Sequence, residues 1–312
     1  MKKNNSTFLI TGGAGFIGSH LAAFLLRQGH GVVVYDNLSS GKTENLAAIQ
    51  DKITFIKGDI LDFPSLKKSL AGIDGIFHLA ALVSVPLSVQ EPALTQKINV
   101  EGTLNVLKAA CEQNVPKVVL ASSSAVYGNK PQAPYAEDAS TACLSPYAFS
   151  KLAGEKLCQT YHQTYGLSAM AVRYFNVFGP RQNAQSAYAA VIAKFIQQAL
   201  QGQECVVDWD GQQTRDFIYV EDVARATLAV MQNGQAGEIY NVGSAKSTSL
   251  LALIQEIEAV TGKPVKIRFA PKREADVRHS LADTGKICKL GFEAKVSLKE
   301  GLQKMILGQK EL

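Results

Sequence analysis

Short, unbroken apolar runs alternate with helical segments through the first 175 residues of this 312-residue chain. Residues 8–11, 32–36, 53–58, 76–80, 118–122 and 169–175 read as strands buried on both faces, being short and almost uniformly apolar. Residues 15–28, 65–70, 98–113 and 147–165 read as helices; in the first of them Ile17, Leu21, Phe24 and Leu25 fall on one face. Strands of that kind, separated by helices, pack into a doubly wound parallel sheet, an α/β Rossmann fold. After about residue 176 the rhythm loosens. A helix is expected at 187–201, a strand at 205–208, a further segment at 217–231, a helix at 250–261, a strand at 265–269 and a short C-terminal helix. No linker rich in Pro, Gly or Ser cuts the chain in two. The expected organisation is a Rossmann domain over residues 1–176 and a smaller C-terminal lobe over 177–312 that shares some elements with it.

Composition narrows the class. Hydrophobic residues at 46% and charged residues at 19% are ordinary for a globular protein. The net charge of +5 is spread without a long run of one sign, which argues against a nucleic-acid arm or a polybasic membrane patch. No stretch approaches the roughly 20 apolar residues that span a bilayer. Lys2 and Lys3 precede an apolar segment, but Gly12, Gly13 and Gly15 break it before it reaches signal-peptide length. The five cysteines are odd in number and widely spaced, and neither they nor the histidines show metal-ligand spacing. A reducing, cytoplasmic setting is the expectation.

The turn between the first strand and the first helix reads Gly12-Gly13-Ala14-Gly15-Phe16-Ile17-Gly18. Glycines at 12, 15 and 18 permit a tight turn and let backbone N–H groups approach a pyrophosphate at the helix N-terminus. Asp36 closes the second strand 18 residues past Gly18, where a carboxylate meets the adenosine ribose hydroxyls and repels a 2′-phosphate. NAD is therefore expected rather than NADP. Asp59 and Ala80 follow the third and fourth strands and face the same crevice, although Asp59 is equally a turn residue.

Tyr147 and Lys151 stand four apart in a helical segment and so share a face. An ammonium beside a phenol favours the phenolate, lowering its pKa from about 10 and making it an acid/base near neutrality. By itself the pair also fits a solvated helix face. Ser122-Ser123-Ser124 at the end of the preceding strand adds hydroxyls over the expected cofactor crevice, though serines at a strand end also serve as caps.

Four motifs in order resemble the extended short-chain dehydrogenase/reductases, and within them the UDP-hexose 4-epimerases. They are residues 11–18, Ser122-Ser123-Ser124-Ala125-Val126-Tyr127-Gly128, Tyr147-Ala148-Phe149-Ser150-Lys151, and Arg173-Tyr174-Phe175-Asn176. The resemblance runs over nearly the whole chain. It implies Ser123, Tyr147 and Lys151 as the catalytic set. It also implies a cofactor cradle of Gly12, Gly15, Phe16, Ile17 and Gly18, with Asp36, Asn37, Asp59 and Ile60, then Leu79, Ala80, Ala81 and Asn99, and finally Tyr147, Lys151 and Phe175. For a UDP-sugar it implies Ser84, Ser123, Ser124, Tyr147, Asn176, Arg215, Arg273, Asp276 and Ser280, with the two arginines on the diphosphate. The implied reaction removes the C4 hydroxyl proton and hydride, turns the 4-keto sugar, and returns hydride to the opposite face.

Departures from the pattern carry information. The related 4,6-dehydratases are similar at the same strand end but read Thr-Asp-Glu there, and this chain lacks that acid. Ala275 replaces a family glycine, and Val83 stands where some UDP-galactose epimerases carry a cofactor-contacting Lys. Ser280 falls on the pocket wall where a bulky Tyr restricts the family to non-acetylated sugars, so a 2-acetamido group is expected to fit. Residues 81–86 and 188–191 resemble the branch that handles N-acetylhexosamines. The resemblance implies a homodimer through helices 98–113 and 147–165. Another NAD-dependent UDP-sugar conversion, such as uronate epimerisation or decarboxylation, and a non-catalytic NAD-binding regulator stay open at this point.

Overall fold

The computed structural model describes residues 5–130, 133–182, 191–272 and 277–308. In chain order the strands are β1 (Thr7–Thr11), β2 (Gly31–Asp36), β3 (Thr54–Lys57), β4 (Gly75–His78), β5 (Lys117–Ser123), β6 (Ser168–Tyr174), β7 (Asn176–Phe178), β8 (Cys205–Asp208), β9 (Thr214–Tyr219), β10 (Ile239–Val242), β11 (Ser247–Ser249) and β12 (Ile267–Ala270). The helices are α1 (Phe16–Arg27), α2 (Phe63–Ser69), α3 (Val85–Gln90), α4 (Pro92–Gln96), α5 (Gly102–Glu112), α6 (Pro146–Tyr165), α7 (Val191–Leu200), α8 (Val220–Asn233), α9 (Leu250–Thr261), α10 (Gly285–Cys288) and α11 (Leu298–Gly308).

Seven strands form one parallel sheet in the order β10-β6-β5-β4-β1-β2-β3. Chain direction across the sheet reverses between β1 and β4, so the carboxyl ends of these two strands open a crevice, the place where doubly wound folds bind ligands. Both faces are covered except at the edge strand β3. There Thr54, Phe55 and Lys57 are exposed, against the expectation of a buried strand at 53–58, because an edge strand has a neighbour on one side only. Ile10, Val34 and Phe77 pack against α1 and α8 on one side, while Leu9, Ile76 and Val118 pack against α5 and α6 on the other. This two-sided burial is why the strands lack the alternating pattern of a half-exposed sheet.

β6 leaves the large sheet at Tyr174, and after Phe175 the chain enters β7 of a three-stranded sheet ordered β11-β9-β7. That sheet, the β12–β8 pair and helices α7, α9 and α11 enclose a separate core around Phe195, Leu253 and Leu302. The chain does not stay in this lobe. After residue 177 it returns to lay α8 on α1 and to add β10 beside β6.

Element ends follow local chemistry. Ser145 caps α6 by accepting the Ala148 N–H, Pro146 opens the helix, and Gly166 ends it at φ +70°. The expected helix at 98–113 divides into a π turn (Lys97–Glu101) followed by α5, and Asn99 in that turn bonds Leu82. The first part of the helix expected at 187–201 lies outside the described residues, which show it from Val191.

Candidate active site

The crevice begins with close backbone packing. At Gly12 φ is +70°, and a Cβ there would sit 2.7 Å from the Ala80 nitrogen. A Cβ on Gly18 would sit 2.3 Å from the Gly12 carbonyl oxygen. Only glycine lets the turn fold back on α1 and against the end of β4. Gly15 occupies the N-cap position of α1, which has no side-chain cap and no acidic residue in its first turn. Phe16 and Ile17 open that helix. Its N–H groups thus face the crevice without a competing carboxylate, which suits an anionic phosphate group.

Asp36 lies beside this turn. Its carboxylate accepts the Ala14 N–H at 2.9 Å and the Leu38 N–H at 2.8 Å. Asn37 donates to Asp59 at 2.9 Å, and Asp59 also accepts the Leu61 N–H, so Asp59 holds its own turn as well as Asn37. Leu79 bonds the Thr11 carbonyl, and beyond Ala80 and Ala81 both backbone groups of Leu82 bond the Asn99 side chain. Ile60 is a core residue against Gly102, and Phe175 is buried beside Tyr127. The glycine turn, the uncapped helix end and the acid beside them fit a dinucleotide.

At the carboxyl end of β5 the catalytic candidates come together. The N–H of Tyr147, one of the donors left over at the start of α6, is accepted by Ser88 Oγ on α3 at 3.1 Å. The Ser123 hydroxyl stands beside the Tyr147 phenol and favours its ionised form. Lys151 Nζ lies 5.8 Å from the Tyr147 ring centroid and donates to the Ala121 carbonyl at 2.9 Å. Burial pushes the Lys151 ammonium down to about 8, partly opposed by the Glu155 carboxylate.

Two expectations need correction. The Tyr147 pKa moves up, not down: burial raises it, and the neighbouring Ser123 hydroxyl, not the charge of Lys151, is what opposes that rise. The three serines do not all face the crevice. Ser122 is buried and donates to Glu155, because successive side chains of β5 point to opposite faces. Ser123 remains at the site, also accepting the Ala125 N–H at the start of a short 3₁₀ turn that Ser124 opens.

Across the crevice, Asn176 donates to the Asp216 carbonyl at 3.1 Å. Arg215 Nη1 donates to the carbonyls of Thr214 and Val277 at 2.9 and 2.7 Å. Ser280 is buried, its N–H bonded to the Thr214 carbonyl. Ser84 accepts the Leu87 N–H and so caps α3. Arg273 and Asp276 lie outside the described residues. The structure adds supports that the sequence reading missed. Asp216, fully buried, accepts N–H groups from Ser244, Ala245 and Ala282. Glu155 holds Arg173 through two bonds, at 2.9 and 2.7 Å. The signal available was an acid within an otherwise apolar pattern, and it does not say which partner the acid meets.

Comparison with known proteins agrees with this geometry. The family described as "NAD dependent epimerase/dehydratase family" matches residues 8–243. The chain is 40% identical over 304 residues to a UDP-glucose 4-epimerase of Mycolicibacterium smegmatis, covering 96% of each chain. Among solved structures it resembles the UDP-N-acetylglucosamine 4-epimerase of Methanobrevibacter ruminantium M1 in complex with UDP-N-acetylmuramic acid. That match has a TM-score of 0.94 at 39% identity and covers 98% of this chain and 99% of the other. The UDP-glucose 4-epimerase of Thermus thermophilus in complex with NAD matches with a TM-score of 0.89 at 33% identity, covering 97% and 99%.

Proposed function

The chain belongs to the NAD dependent epimerase/dehydratase family, and from that premise we propose that it is an NAD-dependent 4-epimerase of a UDP-hexose. The substrate pair is UDP-GlcNAc/UDP-GalNAc, with UDP-Glc/UDP-Gal as a second pair. One observation carries the reading: Ser123, Tyr147 and Lys151 converge where β5 and α6 meet the cofactor crevice. Bound NAD supplies reversible acceptance of the C4 hydride. Gly12, Gly15 and Gly18 admit its pyrophosphate to the start of α1, and Asp36 selects the ribose hydroxyls.

Tyr147 takes the proton of the C4 hydroxyl and returns it after the sugar has turned. Ser123 orients that oxygen and holds the phenolate. Lys151 carries positive charge beside the ring, with Ala121 fixing its position. Asn176 and the residues of 177–312 that stay in the smaller lobe bind the sugar nucleotide, with Arg215 and Arg273 on the diphosphate and Asp276 on the ribose. The small Ser280 leaves the pocket wall open to a 2-acetamido group. The protein works as a homodimer through the faces of α5 and α6. Its five cysteines stand unpaired, which fits a reducing cytoplasm. None of the described helices is long and apolar enough to cross a membrane.

The test is product analysis by NMR after incubation with UDP-GlcNAc, UDP-Glc and UDP-glucuronate. Conversion at C4 of the first two supports the proposal. Turnover confined to the uronate, or bound NAD with no turnover of any UDP-sugar, would overturn it.

A further inference from the structure

His78 closes β4 with its ring buried and has no part in the chemistry assigned above. Both ring nitrogens have partners: Nδ1 lies 2.7 Å from Thr11 Oγ1, and Nε2 lies 3.0 Å from Thr103 Oγ1. The neighbours fix the protons. Thr103 donates its one hydroxyl proton to the Asn99 carbonyl at 2.6 Å, so toward His78 it can only accept, and Nε2 must carry the hydrogen. Burial, with the charge of Lys151 nearby, pushes the imidazolium pKa down to about 3, so the ring is neutral and Nδ1 is an acceptor. Thr11 donates to it and in turn accepts the Ala80 N–H at 3.2 Å.

The chain of bonds continues beyond Thr103. Asn99 Nδ2 donates to Ser150 Oγ at 2.9 Å, and Ser150 donates to the Tyr147 carbonyl at 2.7 Å. From Ala80 to Tyr147 every donor points the same way. It joins the segment against which Gly12 packs to the first turn of α6; the bonds from Ala80 through His78 to the Asn99 carbonyl polarise one another, and the Asn99 side chain carries the link on to Ser150 and Tyr147.

We propose that His78 is a positioning residue: as the neutral Nε2–H tautomer it ties the cofactor turn to the helix that carries Tyr147, and so sets where the phenol stands. The inference rests on Tyr147 being the acid/base. A flat ring with a donor at one end and an acceptor at the other suits the gap, and a glutamine amide carries the same pair of functions on a flexible stem.

His78→Leu and His78→Gln are compared with the parent at saturating NAD, with thermal unfolding as the control for folding. In His78→Leu, kcat falls by about 10- to 100-fold, the size of effect expected from a small misplacement, while KM for the sugar nucleotide holds. His78→Gln recovers most of that loss. An unchanged kcat in the leucine variant, a loss carried by KM, or a glutamine variant no better than leucine overturns the proposal. ¹⁵N NMR of the parent, which needs no variant to fold, must show Nε2 protonated and Nδ1 bare; the opposite tautomer overturns it. If the parent turns over no UDP-sugar, the functional reading fails, and the tautomer still reports on the relay.

Discussion

Tyr147 meets two opposing influences: burial raises its pKa and the Ser123 hydroxyl lowers it. Replacing Ser123 with Ala removes the lowering influence, so less phenolate forms at a given pH. The acid limb of the kcat/KM profile should move to higher pH, and a limb that stays put would mean that Ser123 does not set this acidity. Tyr147→Phe removes the proton-carrying oxygen and should lower turnover by at least about 100-fold with sugar-nucleotide binding retained, as titration calorimetry and kinetics together would show. Ser280→Tyr tests the pocket wall. Overpacking of about 1–3 kcal/mol predicts a loss of roughly 5- to 150-fold in kcat/KM for UDP-GlcNAc relative to UDP-Glc. An unchanged ratio would place the wall elsewhere. Tyr147 and Lys151 were legible because spacing along one helix is a local property. Ser88, 59 positions from Tyr147, was not, since nothing in a sequence marks a hydroxyl that will meet a distant helix start. The direction of the Tyr147 shift was misread for the same reason: burial is a property of the packed fold, while the neighbouring lysine is visible in the chain.

Between residues and fold stand the stitches that hold β5, β6 and α6 in register. Glu155 of α6 accepts from Ser122 of β5 and from Arg173 of β6, and the Arg173 guanidinium lies 4.7 Å from the Tyr127 ring centroid. Tyr127 passes the connection to Asn241 of β10 at 2.7 Å. The Arg173 and Glu155 side chains are 3% and 0% exposed. Glu155→Gln keeps the shape but leaves a buried guanidinium without its counter-charge, which predicts a loss of about 3–5 kcal/mol in urea unfolding. A loss below about 1 kcal/mol would show that Arg173 finds another acceptor. Most elements could be read in advance because a buried strand or an amphipathic helix declares itself over a short window, as at 205–208 and 250–261, where the expected limits match β8 and α9. β10 could not. Its four residues, Ile-Tyr-Asn-Val, join the large sheet only through pairing with β6, far back along the chain, from Ala171↔Ile239 to Tyr174↔Val242. The short helices α3 and α4 were missed as well, each opened by a proline within a stretch that reads as a loop.

On the scale of the whole molecule, apolar side chains are left uncovered on helices packed around α6. Val89 of α3 is 62% exposed, Leu94 of α4 44%, Leu104 of α5 39% and Phe149 of α6 55%. Isolated exposed apolar residues are common, but several on mutually packed helices form the kind of surface that a protein partner covers. A second copy related by a two-fold axis would cover it with the same surface, and that is the geometry the proposed homodimer requires. Phe149 stands between Tyr147 and Lys151 in sequence yet faces solvent, so pairing at this face would brace the helix that carries the catalytic side chains without blocking them. Phe149→Asp puts a carboxylate into the patch, and burying an unpaired charge costs far more than the apolar contact it replaces. Sedimentation velocity should give the parent a mass near twice 33.5 kDa and the variant a mass near 33.5 kDa. A parent that sediments as a monomer, or a variant that stays dimeric, would remove this face from the assembly.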